Sequence, residues 1–122
     1  MLKEINIYGA GGIARQIINI IKEFNFDINI NVVVTKLDNN YEKCENYIVH
    51  EYKEFIQNTD LSRITFIVAI SGEEGENIKK ILTLDRVKRI ITIEEFGKML
   101  FFCGRCRTSC FCNFCTVYAS AV

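Results

Sequence analysis

A glycine-rich segment near the start of the sequence has the residue types of a phosphate-binding loop. It lies between an apolar run and a helix-patterned run and completes the pattern G-x-G-x-x-A with the residues Gly9, Ala10, Gly11, Gly12, Ile13 and Ala14. Glycines at such a position let the backbone approach a phosphate at a helix N-terminus, where free N–H groups and the helix dipole favour negative charge. The segment therefore predicts that the chain binds a nucleotide. The alternative is that Gly9 and Gly11 only permit a tight turn and close packing.

Further candidate ligand contacts lie in the first turn of the helix and at two other strand ends. Arg15 would add a positive side chain in the first helical turn, although a solvated position is the simpler interpretation, and Ser71 and Gly72 follow the most apolar strand. A dinucleotide-binding domain usually carries an acidic residue about 20 residues beyond the glycines to hold a ribose hydroxyl. Here Thr35 and Lys36 occupy that place and Asp38 follows in a turn, which weakens the prediction of NAD in particular.

Catalytic residues are not evident from the pattern. We find no acid–base pair, no nucleophile with a positioned base and no convincing metal cluster beside the loop, so we predict no catalytic residue. The sequence indicates a class of ligand and not a reaction.

Composition limits the range of partners. The chain has 122 residues, with 15 basic and 15 acidic side chains and a formal net charge of +0. That length suits one domain, and a chain without a net charge has no broad field to attract nucleic acid or an acidic membrane. The longest apolar stretch in the body, 64–70, is far from the roughly 20 residues needed to span a bilayer. With no export signal at residues 1–4, we predict a cytoplasmic protein.

Hydrophobic periodicity predicts strands that alternate with helices. The predicted strands are 5–8, 30–35, 47–49, 64–70 and 87–93, and the predicted helices are 13–24, 51–57, 73–84 and a short segment at 94–99. Such alternation favours right-handed crossovers. The predicted fold class is therefore α/β, a Rossmann-like doubly wound parallel sheet of about five strands in the order 3-2-1-4-5. Ligands of such sheets bind at the carboxyl ends of the strands where the strand order reverses.

Two stretches carry a resemblance to a known family. The stretch 7–15, Ile-Tyr-Gly-Ala-Gly-Gly-Ile-Ala-Arg, and the stretch 66–72, Phe-Ile-Val-Ala-Ile-Ser-Gly, resemble the small Rossmann-like domain of bacterial polysaccharide-biosynthesis enzymes. The domain is similar to the N-terminal nucleotide-sugar domain of sialic-acid and bacillosamine-type acetyltransferases, and to domains that accompany glycosyltransferases and sugar methyltransferases. The likeness covers about residues 3 to 97.

The resemblance implies a nucleotide-sugar ligand and a transferase as the parent enzyme. The acetyltransferases commonly have a histidine where this chain has Ile13, and an aspartate where it has Thr35 and Lys36. Their acetyl transfer resides in a following domain of hexapeptide repeats, which this sequence lacks. The resemblance therefore implies a binding domain separated from a catalytic partner domain, a truncated remnant of the transferase that requires no cofactor of its own.

The composition changes abruptly near residue 100. Residues 1–99 have the composition of an ordinary domain with a single cysteine, whereas 100–122 lack Ile, Lys, Asp and Glu and hold five of the six cysteines. We predict a disordered or non-native tail there, one that a shift of reading frame would explain, because a cysteine codon read one base later encodes Val or Ala. A thiolate metal site at Cys103, Cys106, Cys112 and Cys115 is the weaker alternative, since the spacing leaves little chain to wrap a tetrahedral ion.

Three functions thus remain open. The preferred one is a nucleotide-sugar-binding domain, the second is an NAD(P)-binding domain of an oxidoreductase, and the third is metal binding through the tail. The oxidoreductase would need an acid or base on the substrate side that the sequence does not reveal.

Overall fold

The structure, a computed structural model, describes residues 4–23, 28–37 and 43–103, with side chains up to residue 98. Predicted α/β architecture is confirmed: a mostly parallel sheet carries helices on its faces. The strands are β1 (Glu4–Tyr8), β2 (Asn29–Val34), β3 (Lys43–Cys44), β4 (Tyr47–Glu51), β5 (Thr65–Val68) and β6 (Arg89–Ile91). The helices are α1 (Gly12–Glu23), α2 (Tyr52–Phe55), α3 (Gly72–Leu84) and α4 (Ile93–Cys103), and short 3-10 turns cover Ile56–Asn58 and Leu61–Arg63.

The sheet has six strands in the order β3-β4-β2-β1-β5-β6. The five strands from β4 to β6 in that order pair in parallel, and β1 lies between β2 and β5. The expectation of about five strands omitted β3, which pairs antiparallel with β4 at the edge of the sheet. The turn between β3 and β4 places Glu45 at φ 49° and Asn46 at φ 72°. Two residues are too few to show an alternating pattern, so this strand could not be predicted from hydrophobic periodicity.

Each face of the sheet carries its own apolar core. The first face packs against α1, whose buried residues Ala14, Ile17, Ile18 and Ile21 recur at helical spacing. The second face packs against α2 and α3 and is built around residues such as Tyr8, Phe66, Ile78 and Leu82. A strand covered on both faces buries every side chain, and all four residues of β5 are buried.

The helix α3 buries two of the three apolar residues that its sequence places on one face. The spacing within the predicted helix 73–84 puts Ile78, Ile81 and Leu82 on that face, and Ile78 and Leu82 are buried. In the structure Ile81 is 40% exposed, and the third buried position is Gly75. Gly75 lies so close to the main-chain carbonyl of Ile70, in the connection between β5 and α3, that a Cβ would collide with it.

A polar ladder crosses the sheet at Asn6, which interrupts the apolar run of β1. Its amide donates to the main-chain oxygen of Thr65 at 3.0 Å, and its oxygen accepts from the amide of Asn31 at 3.0 Å. Asn31 also donates to the carboxylate of Glu4 at 2.7 Å. Asn6 is fully buried, and these bonds compensate for the loss of its contact with water. The interruption in the sequence pattern is therefore compatible with a central strand.

The helix α4 crosses the predicted boundary at residue 99. Thr92 and Glu95 form a capping box at its start: the backbone N–H of Glu95 donates to the Thr92 hydroxyl at 3.2 Å, and the N–H of Thr92 donates to the Glu95 carboxylate at 3.4 Å. The helical backbone continues to Cys103. The rest of the predicted tail, 104–122, lies outside the described residues. Within the described part of the chain, no helix combines the length and the apolar character needed to cross a bilayer.

Candidate functional site

The junction between β1 and α1 forms the centre of the candidate site. Gly9 continues the parallel ladder, since its N–H donates to the Val33 oxygen at 2.8 Å while the Tyr8 oxygen accepts from the N–H of Ala69 at 2.9 Å. Gly9 adopts φ +124°, and a Cβ there would lie 3.1 Å from the Ala69 oxygen. A residue with a side chain is therefore disfavoured at this position by both conformation and space. Gly9 has a structural reason to be glycine whether or not a ligand binds.

The next two glycines differ from Gly9. Neither Gly11 nor Gly12 adopts a positive φ, and a Cβ at either would meet nothing within 4 Å. Both are exposed, and both lie where α1 begins. Neither packing nor backbone conformation explains the absence of a side chain at these positions.

The start of α1 leaves donors free for a ligand. The N–H of Arg15 donates a hydrogen bond to the oxygen of Gly11 at 3.1 Å, across the start of α1. The N–H groups of the preceding helical residues have no acceptor within the helix. The first turn of α1 contains no acidic residue, so the partial positive charge of this helix end is not neutralised locally.

A cavity of about 550 Å³ opens over this junction, and we call it the first cavity. It lies at the carboxyl ends of β1, β2 and β5. Its walls are Tyr8, Gly9, Ala10, Gly11, Gly12, Ile13, Val34, Thr35, Lys36, Ala69, Ile70, Ser71 and Glu74. Lys36 supplies the one ammonium group of this wall and Glu74 the one carboxylate. Hydroxyl groups, one charge of each sign and main-chain N–H groups equip the cavity to bind a polar ligand.

Most residues predicted for the site come together in the first cavity. The loop 9–13, Thr35, Lys36 and Ser71 all line it. Gly72 is not part of its wall and lines a neighbouring cavity instead. Asp38 lies outside the described residues.

Arg15 is not part of the wall of the first cavity. Its guanidinium lies near the thiol of Cys44 on β3. Burial raises the pKa of the Cys44 thiol, and the hydrogen bond and charge of Arg15 partly oppose that rise. The arginine of the first helical turn thus contacts the edge hairpin.

Two residues that line the first cavity, Tyr8 and Glu74, were not predicted from the sequence. Tyr8, which forms part of the floor, shares a hydrogen bond of 2.6 Å between its hydroxyl and the Thr35 hydroxyl. Its ring packs 5.5 Å from the ring of Tyr52 and 6.0 Å from that of Phe66, measured between centroids. Burial raises the pKa of the Tyr8 hydroxyl, the Thr35 hydrogen bond opposes that rise, and the charge of Glu74 adds to it. In the sequence, Glu73 and Glu74 follow Ser71 and Gly72 directly, and this proximity to two predicted site residues could have indicated Glu74.

A second cavity, of about 540 Å³, lies beside the first at the carboxyl ends of β5 and β6. Ile70 and Ser71 belong to the walls of both cavities. The remaining walls of this second cavity are Val68, Gly72, Gly75, Glu76, Lys79, Thr92, Ile93, Glu94 and Glu95.

A metal centre is not formed by the described residues, among which no three His, Cys, Asp or Glu side chains are arranged to hold an ion. This finding does not test the four cysteines that were predicted as the weaker alternative site. Cys106, Cys112 and Cys115 lie outside the described residues, and of Cys103 only the helical backbone is described. Metal binding by the tail therefore stays a prediction.

Comparison of the chain with known protein families, with curated proteins and with solved structures found no match. The likeness to polysaccharide-biosynthesis domains therefore depends on the loop 7–15 and on the strand and turn 66–72.

Proposed function

We propose that this chain is a Rossmann-like domain that binds a nucleotide, with the phosphates of the ligand at the start of α1. The order of its parallel strands supports the proposal, because β1 has β2 on one side and β5 on the other. The chain leaves β1 in one direction along the sheet and reaches β5 in the other. Sheets of this kind bind ligands at the carboxyl edge where the order reverses, and the first cavity opens at that edge.

The observation that carries the proposal is the open space at Gly11 and Gly12. A phosphate needs close approach to the N–H groups of the helix start, and side chains at these positions would stand in its way. The structure offers no packing reason for either glycine. Lys36 from the end of β2 supplies a positive charge in the same cavity.

A nucleotide-sugar is the ligand class that we favour. The resemblance of the loop to domains of sugar-modifying enzymes supports this class. In this proposal the chain contributes binding of the nucleotide-sugar, and a transferase domain elsewhere carries out the reaction.

An NAD(P)-dependent function is the second candidate. Lys36 at the end of β2 is the observation that favours NADP over NAD, because a cation near the ribose accommodates a 2′-phosphate. A hydride-transfer site would further need a proton donor or acceptor near the nicotinamide.

Thermal unfolding and calorimetry with a ligand panel test the proposal on the full 122-residue protein. The panel holds UDP-, GDP- and CMP-sugars together with NAD and NADP. A ligand at about 100 times its Kd stabilises by about 2.7 kcal/mol. In a domain of roughly 100 residues that raises Tm by about 10 °C. We expect this response from one class of nucleotide-sugar.

Two matched variants separate the loop from general effects. Gly11→Val should abolish the ligand-induced rise in Tm, since its side chain would cover the phosphate position. Gly97→Val, on an exposed position of α4 that lines neither cavity, should leave the rise intact. A response to NADP alone would favour the second candidate. No response from the folded protein to any ligand of the panel would refute nucleotide binding.

A further inference from the structure

The second cavity is a continuation of the first along the carboxyl edge of the sheet. The two have similar volumes, about 550 and 540 Å³, and Ile70 and Ser71 at the end of β5 form a wall that they share. A ligand anchored at α1 would have to pass the end of β5, at Ile70 and Ser71, to enter the space between α3 and α4. The proposed phosphate site uses only the first of these spaces.

Glycines keep this crossing open. Gly72 adopts φ +71°, and a Cβ there would meet nothing within 4 Å. A Cβ at Gly75 would collide with the main-chain carbonyl of Ile70. The start of α3 consequently lies against the backbone at the end of β5, and no bulky side chain from these two positions separates the cavities.

The charges of the two cavities differ. The walls of the second cavity carry Glu76, Glu94 and Glu95 against a single ammonium group, that of Lys79. Glu95 is engaged with Thr92 in the capping box of α4. Among the described residues, Glu76 and Glu94 have no hydrogen-bond or ion-pair partner.

Unengaged carboxylates favour one kind of occupant. They repel a second phosphate, and they accept hydrogen bonds from hydroxyl groups. Lys79, half-buried in the same wall, supplies a donor for a hydroxyl or carbonyl oxygen. The chemistry suits an uncharged group rich in hydroxyls.

We propose that the second cavity holds the glycosyl group of a nucleoside diphosphate sugar whose diphosphate lies at the start of α1. This inference rests on the proposed nucleotide binding and assigns the distal half of the ligand. Glu76 and Lys79 are the residues that recognise the glycosyl group.

Paired calorimetric titrations of the full chain test the assignment. The probes are UDP with UDP-glucose and GDP with GDP-mannose, together with NAD. In the pair that binds, the sugar nucleotide should bind at least about tenfold more tightly than its diphosphate, which corresponds to one hydrogen bond to a charged group. Glu76→Gln and Lys79→Ala should each remove most of this difference and leave the affinity for the diphosphate unchanged.

Matched controls come from exposed positions that line neither cavity. Glu23→Gln at the end of α1 and Lys80→Ala on α3 repeat the two chemical changes and should leave the tenfold difference intact. Equal affinities for a diphosphate and its sugar conjugate would overturn the assignment of the second cavity while preserving nucleotide binding. The assignment would also be overturned if the Glu76 and Lys79 variants kept the tenfold difference in affinity as their controls do.

Two other outcomes are also decisive. Tightest binding of NAD, weakened by Glu76→Gln, would place the cationic nicotinamide riboside in the second cavity and overturn the glycosyl assignment. Absence of binding by every probe to the folded protein would overturn this inference, and absence of binding by the CMP-sugars and NADP of the wider panel as well would refute the function on which it rests.

Discussion

Two junctions of the molecule connect a parallel strand to a helix at the same edge of the sheet. One runs from Tyr8 at the end of β1 to Gly12 at the start of α1, and the other from Val68 at the end of β5 to Gly72 at the start of α3. Both connections have the same length, and both helix starts contribute to a cavity. The two helix starts differ in charge. The first turn of α1 has no acidic residue, whereas the first turn of α3 has Glu73 and Glu74.

Similar backbone geometry at the two junctions does not by itself specify the ligand. Each helix start presents free N–H groups and a partial positive charge. At α3 the carboxylates of Glu73 and Glu74 offset that charge, so this helix start does not attract a second anion, and Glu74 itself lines the first cavity. At α1 the charge remains available for an anion. Two strand-to-helix junctions of the same length can therefore favour different chemical groups of a ligand.

The largest expected effect comes from the glycine that brings α3 to the sheet. Gly75→Ala places a Cβ against the main-chain carbonyl of Ile70, which cannot rotate away as a side chain would. We expect a loss of about 3 kcal/mol in the free energy of unfolding, the upper part of the usual range for overpacking. Urea denaturation followed by circular dichroism measures it.

The control for this change is Gly97→Ala on α4, where a Cβ meets nothing within 4 Å. It should raise the free energy of unfolding by about 0.5 to 1 kcal/mol, because alanine is the better helix former. If Gly75→Ala were as stable as the parent protein, the close approach of α3 to β5 would not be a constraint.

The second effect concerns the first junction. Gly9→Ala forces a side chain into a backbone conformation of φ +124° and into contact with Ala69 and Ile70. We expect a loss of about 2 kcal/mol. Gly11→Ala, with open space around it, should change stability by no more than about 0.5 kcal/mol. Equal losses for the two variants in urea denaturation would contradict the distinction between a structural glycine and a ligand-facing one.

A smaller effect is expected from the hydrogen bond on the floor of the first cavity. Tyr8→Phe removes the 2.6 Å bond to Thr35 and should cost about 1 kcal/mol. Thr35→Val removes the same bond from the other side. In a double-mutant cycle the two losses should not add, because they delete one interaction. Strict additivity would show that the bond contributes nothing.

Tyr8 should also contribute to the pH dependence of stability. Burial holds its pKa above the ordinary value of 10.0 in the folded protein, so the folded state retains the proton when the unfolded chain loses it. The stabilisation is fully present below about pH 10 and is lost as pH rises through the folded pKa. Tyr8→Phe should therefore show a smaller loss of stability between about pH 9 and about pH 11 in the same denaturation assay.

The smallest change in stability is expected from giving the first junction the charge of the second. Gly12→Glu adds an acid to the first turn of α1 at an exposed position with open space, and Gly12→Gln is its uncharged counterpart. The glutamate variant should be the more stable by about 0.3 to 1 kcal/mol, because the charge complements the helix dipole.

The same pair should show the opposite order in nucleotide affinity. Repulsion between the carboxylate and the phosphates should weaken binding to the glutamate variant relative to the glutamine variant. Calorimetry at low and high salt separates charge from bulk, since screening should bring the two affinities together. Equal affinities at low salt would place the anion elsewhere.

Much of the fold was predictable because the apolar spacing of the chain is regular. The run of isoleucines from Ile13 to Ile21 predicted α1, and the continuous apolar run at 64–70 predicted a buried central strand, of which 65–68 form β5. The two-residue strand β3 was not predictable, because a turn with Glu45 and Asn46 at positive φ carries no strong turn signal in its residue types.

The candidate site was predictable in part for a related reason. The glycine loop, Thr35, Lys36 and Ser71 all follow strands, and parallel strands bring their carboxyl ends to one edge. Tyr8 and Glu74 were missed because a tyrosine inside a strand and an acid inside a helix indicate nothing until the neighbouring elements are placed. Arg15 was assigned by proximity in sequence, whereas its side chain contacts Cys44.

The alternation of strands and helices and the positions of the glycines follow from the sequence, because they depend on local spacing and backbone freedom. The role of each glycine depends on the tertiary structure. Gly9 is required by the nearby Ala69, which is distant in sequence, and by its positive φ, and Gly75 is required by the main-chain carbonyl of Ile70 in the connection before α3. Gly11 and Gly12 face open space. The same holds for charge: Lys36 and Glu74 share one cavity because the sheet brings β2 and the start of α3 to a common edge. Such meetings depend on packing between distant elements, which no local pattern encodes.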